Sequence, residues 1–106
     1  MAGNRLSDAR EDARRAVERY DALDRKRRMD EQTLKRHALE IRDALASLVG
    51  AADGSGGDVE SRTTSAREAL DEFDDPARYA DAQHVRRACY VLRERTTSLL
   101  DATTPQ

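Results

Sequence analysis

With 106 residues, 38% of them charged and only 4% aromatic, the chain has material for one domain with a thin aliphatic core and little for a second. The formal net charge of −2 excludes a global field that would draw it onto nucleic acid or an anionic membrane. No apolar run approaches the roughly 20 residues needed to cross a bilayer, and residues 1–5 lack the apolar stretch of a signal peptide. A cytoplasmic protein is expected, and the lone Cys89, unable to form an internal disulfide, agrees with a reducing compartment.

Residues 1–4 read as a flexible N-terminus. From Arg5 to Val49 there is neither Gly nor Pro, and Ala, Leu, Arg and Glu dominate, so a helix is predicted over 5–49. Leu6, Ala9, Ala13, Ala16, Tyr20 and Leu23, then Leu34, His37, Ile41, Ala44 and Leu48, repeat at alternating steps of three and four, the spacing of a heptad seam. The two apolar halves share one phase, but Arg27 and Asp30 occupy the seam positions between them. Glu11/Arg15, Asp21/Arg25, Asp24/Arg28 and Glu31/Lys35 place an acid four residues before a base, which favours helix through this polar stretch. The expected rod is roughly 68 Å long at about 1.5 Å per residue, and alone it cannot bury its own stripe.

Residues 50–58 hold four of the five glycines and read as a loop. A second helix is predicted over 59–74, carrying Val59, Thr63, Ala66, Leu70 and Phe73 at the same spacing; it starts near either Val59 or Ala66, the latter because Ser65 and Glu68 are placed for a capping box. Asp75 and Pro76 suit the cap and first position of a third helix over 76–101, whose seam is Tyr79, Ala82, Val85, Cys89, Leu92, Thr96 and Leu99. Residues 102–106 form a tail. The expected fold is all-α: a long helical hairpin, or three-helix coiled-coil-like bundle, whose returning arm is broken at Pro76 and which a second copy completes. Seven acids in residues 58–75 would face Arg27, Arg28, Lys35 and Arg36 and set the register.

Candidate chemistry is sparse. Arg25, Lys26, Arg27 and Arg28 form the densest basic cluster, suited to a phosphate backbone, but Asp21, Asp24, Asp30 and Glu31 bring residues 21–31 to zero net charge. His37 sits on the seam, where a hydrogen-bonded interface histidine is expected. Two histidines 47 residues apart and one cysteine offer no spaced metal-ligand set, and no cofactor is expected. Cys89, on the inner stripe, should be buried and inert, its side chain about 140° around an ideal helix from His84.

Arg78 and His84, six residues apart at the start of the third predicted helix, resemble the Arg-then-His motif of the all-helical HEPN ribonuclease superfamily. That resemblance implies a pair at a dimer cleft cleaving RNA by acid–base chemistry at the 2′-hydroxyl. Tyr79 departs from the pattern, which usually carries a polar residue after the Arg, and only this short segment is covered.

The first expectation is thus a non-enzymatic helical interaction module, self-associating as a homodimer or acting as an adaptor or regulator of a protein partner. Its interface or core stripe comprises Leu6, Ala13, Tyr20, Leu23, Leu34, Ile41, Leu48, Leu70, Phe73, Val85, Leu92 and Leu99. A small helical nucleic-acid-binding regulator using an Arg-rich face, with Arg86, Arg87, Arg93 and Arg95 joining the basic run, is the second reading. The ribonuclease is the third.

Overall fold

The computed structural model describes residues 2–26, 30–52, 57–73 and 82–103, and these are helical almost throughout. Four helices follow one another: α1 (Ala2–Lys26), α2 (Glu31–Ala52), α3 (Gly57–Glu72) and α4 (Ala82–Ala102). Among the described residues there is no strand.

The rod expected over residues 5–49 is therefore two helices, and they lie antiparallel. Arg19 on α1 reaches Glu40 on α2 at 2.7 Å, and the Tyr20 ring meets the His37 ring edge-on with centroids 6.3 Å apart. Asp30 supplies the local cause. Its Oδ1 accepts the Thr33 backbone N–H at 2.7 Å while its carbonyl accepts that of Leu34 at 3.0 Å, the geometry of an N-cap that starts a new helix. Folding back also lets each apolar half cover the other, which a straight helix could not do alone.

Cross-helix contacts give the remaining directions. Arg10 donates to the Leu100 carbonyl and the Thr103 hydroxyl, and Asp21 pairs with Arg93, so α1 runs opposite to α4. Arg62 donates to the Ser98 carbonyl at 2.8 Å and Glu72 lies 3.9 Å from Arg87, so α3 also opposes α4. Consequently α2 and α4 are parallel, and Cys89 Sγ donates to the Leu34 carbonyl between them at 3.4 Å. The result is a bundle-like, up-down-up-down arrangement in which α2 touches the other three helices. Its extents of 38 × 24 × 20 Å replace the long rod.

The interior is aliphatic. Leu34, Ile41, Leu45 and Leu48 of α2 are fully buried, as are Val85, Leu92 and Leu99 of α4, with Phe73 at the end of α3. The outer helices give mostly smaller groups: Ala9, Ala13, Ala16 and Val17 from α1, with the larger Tyr20 beside them, and Thr63, Ala66 and Ala69 from α3. Apolar area, and with it stabilisation of about 25 cal/mol per Å² buried, is concentrated on α2 and α4.

Several boundaries differ from expectation. Ala2 to Asn4 belong to α1 and Gly50 to α2, because a single glycine near a helix end costs only about 1 kcal/mol. The third helix starts at Gly57, whose φ of 59° is left-handed and favours glycine. It runs on through residue 65, so the Ser65/Glu68 capping box is not used. The break expected at Asp75 and Pro76 lies outside the described residues. Of the acids expected to face α2, Glu72 pairs with α4, while Lys35 turns to Glu31 on its own helix at 3.5 Å.

Candidate functional site

The seam residues converge on one interior. Ala13, Tyr20, Leu34, Ile41, Leu48, Phe73, Val85, Leu92 and Leu99 are buried, and Leu6, Leu23 and Leu70 pack partly buried against them. The stripe expected to require a second copy is covered within the chain, because α1 folds onto α2 and α4. No second molecule is needed to keep it from water.

Polar groups drawn inward are bound to the scaffold. The Thr63 hydroxyl donates to the Val59 carbonyl at 2.6 Å and the Thr96 hydroxyl to the Leu92 carbonyl at 2.7 Å, each bonding back one turn. Cys89 is buried with its thiol on the Leu34 carbonyl, as a small hydrophobe with a weak donor would be. His37 departs from the hydrogen-bonded histidine expected: it is buried, and its Nδ1 finds no partner. Arg42 Nε is in the same position, although its Nη1 reaches Asp43 at 3.1 Å.

The most specific polar contacts hold α1 in place. Arg93 Nε and Nη2 donate to Asp21 Oδ1 and Oδ2 at 2.7 and 3.0 Å, a two-pronged fork, and the Asp21 carboxylate raises the guanidinium pKa further above its ordinary value. Arg10 adds a second clasp near the other end of the helix, donating to Thr103 at 3.0 Å and to the Leu100 carbonyl at 3.2 Å. Open grooves flank α1 on both sides. One, against α4, is lined by Ser7, Arg10, Glu11, Arg14, Thr97 and Leu100. The other, against α2, is lined by Asp12, Ala16, Arg19, Glu40, Asp43 and Ala44.

Sequence reasoning missed the α1 clasps, since nothing in the chain marks Asp21 and Arg93, 72 positions apart, as partners. The N-cap does carry a signal. Asp30 followed by Glu31 is the composition of a helix start, with a carboxylate near the free N–H groups. Asp30 accordingly has a pKa below the usual carboxylate range, chiefly through the Thr33 backbone N–H.

The other candidates are mostly dispersed or outside the described residues. Arg25 and Lys26 lie in the last turn of α1 with side chains outside the described set, and Arg27 and Arg28 lie outside the described residues. Of the helix-four arginines, Arg86, Arg87 and Arg95 are exposed, whereas Arg93 is engaged by Asp21. Arg78 is outside the described residues, and His84 is exposed in the first turn of α4. Among the described residues no three His, Cys, Asp or Glu side chains gather as a metal-ligand group, and no helix is long and apolar enough to cross a membrane. The two large apolar side chains most exposed there are Leu39 and Tyr90, on different helices, and single exposed residues of this kind are ordinary.

The class defined by these features is an all-helical, bundle-like protein in which consecutive helices run antiparallel. No family model, curated protein or solved structure matches the chain.

Proposed function

We propose that the chain is a non-enzymatic interaction module that works by helix–helix association, with a second copy of itself as its first partner. One observation carries this reading. Of the interior polar side chains, Thr63, Thr96 and Cys89 are bonded to backbone carbonyls of the chain itself and His37 is buried edge-on against Tyr20, which leaves the helix surfaces as the part open to a partner. Those surfaces carry closely interleaved charge, as in the Glu11–Arg14–Glu18 series, which suits selective pairing with another helical surface better than capture of a polyanion.

Light scattering across micromolar to millimolar concentrations tests the reading. The expected result is a reversible or kinetically trapped dimer. A chain that stays monomeric throughout, including after refolding at high concentration, refutes self-association.

A further inference from the structure

We infer that the outward ridge of α4 centred on Tyr90 is the self-association surface, and that it takes the same ridge of a second copy in antiparallel orientation. This deepens the self-association proposed above and rests on it.

The fold fixes which side of α4 is left over. Cys89 points to the Leu34 carbonyl on α2, Arg93 is held by Asp21 on α1, and the Ser98 carbonyl accepts Arg62 of α3. Gln83, Arg86, Arg87, Tyr90 and Glu94 are all exposed. On a helix of 3.6 residues per turn they fall within an arc of about 100°, between Arg93 on the α1 side and Ser98 on the α3 side. Tyr90 lies near the middle of that arc and is 61% exposed.

The charges on this ridge are loosely engaged within the chain. Arg86 forms no ion pair with another described residue, and Arg87 approaches Glu72 only at 3.9 Å, with both of those side chains more than half exposed. Glu94 touches the neighbouring Arg93 at 3.4 Å, a guanidinium already held by the Asp21 fork.

Their order selects the partner. Exposure of one Tyr is ordinary, but Arg86 and Arg87 stand four and three residues before Tyr90, and Glu94 stands four after it. A twofold axis through Tyr90, with the helices antiparallel, sets Arg86 and Arg87 of each copy beside Glu94 of the other. The two Tyr90 rings then meet near the axis, where an aromatic pair adds to the area it buries. Parallel pairing would set Arg against Arg and Glu against Glu, which charge complementarity disfavours.

Neither α2 nor α3 offers the same. About Leu39, the other large apolar residue exposed, Arg36 and Arg42 stand three residues to either side, so the same symmetry brings like charges together. The outward side of α3 carries the acids Glu60, Glu68 and Asp71, with no large apolar side chain among its exposed residues. A single helix ridge is a small interface, so the dimer is weak and controlled by concentration.

Charge reversal tests the pairing. Wild type, Tyr90→Ser, Arg86→Glu with Arg87→Glu, and Glu94→Arg are sized by light scattering from micromolar to millimolar, with circular dichroism to verify that each keeps its helicity. All four positions are exposed, so the core is left intact. Tyr90→Ser dimerises at least about tenfold more weakly than wild type. Each charge-reversed chain does too, because like charges then face one another. Mixed in equal amounts, the two charge-reversed chains form a heterodimer at least about tenfold tighter than either forms alone. Variants that all dimerise as wild type does overturn the α4 surface and leave self-association standing. A mixture that associates no more tightly than its components overturns the antiparallel pairing. Wild type that stays monomeric at millimolar concentration overturns both.

Discussion

Removing either side of the Asp21–Arg93 fork should release much of the hold on α1. The fork joins helices 72 residues apart in sequence, and the two side chains are 28% and 31% exposed, so it is screened less than a surface pair. At a separation of about 4 Å and an effective dielectric near 20, the attraction is about 4 kcal/mol before costs. Ordering a long Arg side chain opposes up to about 2 kcal/mol of that, and partial desolvation opposes more. The net coupling works out at about 1–2 kcal/mol, above the roughly 0.2–1 kcal/mol of exposed pairs. The assay is a double-mutant cycle of Asp21→Ala and Arg93→Ala, with urea unfolding at low micromolar protein. Each single variant should lower Tm by roughly 4–8 °C for a chain of this size. The exposed Glu11–Arg14 pair provides a control whose smaller coupling fades sooner with added salt. A coupling for Asp21–Arg93 below about 0.3 kcal/mol would refute the claim that this fork anchors α1, since that is the usual additivity error.

Three further outcomes follow from single atoms. His37→Leu should stabilise the fold by about 1 kcal/mol, because it removes a buried Nδ1 that has no partner and forfeits only the edge contact with Tyr20; a lower urea midpoint would contradict this. The glycines should respond with opposite signs: Gly50→Ala gains about 0.5–1 kcal/mol on an open helical face, and Gly57→Ala loses about 1–2 kcal/mol at a φ of 59°. Thermal melts giving both changes the same sign would show that these local conformations are misassigned. Asp30 should titrate below its ordinary value of 3.8, so its capping contribution is fully present above that pH and is withdrawn as pH falls through the depressed folded value. Carbon-detected NMR of its carboxyl checks this, and a midpoint at or above 3.8 counts against the cap.

The helical class and most of the core were legible because burial follows apolar spacing. Tyr20, Leu34, Ile41, Leu48, Val85, Leu92 and Leu99, chosen by steps of three and four, are all buried. The turn before Asp30 was not legible for a physical reason. Residues 24–32 contain no Gly or Pro and carry helix-favouring acid-to-base spacings, so local propensity argues for continuation. Against that stands one cap and the area gained by folding back, which is a tertiary term that no window of sequence contains. Asp30 on the seam is the visible trace of the break between α1 and α2, and by spacing alone it looks the same as a mere interruption. The acids of α3 misled in a related way: counting back along an unbroken rod puts them opposite α2, whereas the fold-back brings in α4, where Glu72 meets Arg87. Cross-helix partners such as Arg10 and Thr103 depend on that topology and could not be ranked among so many arginines.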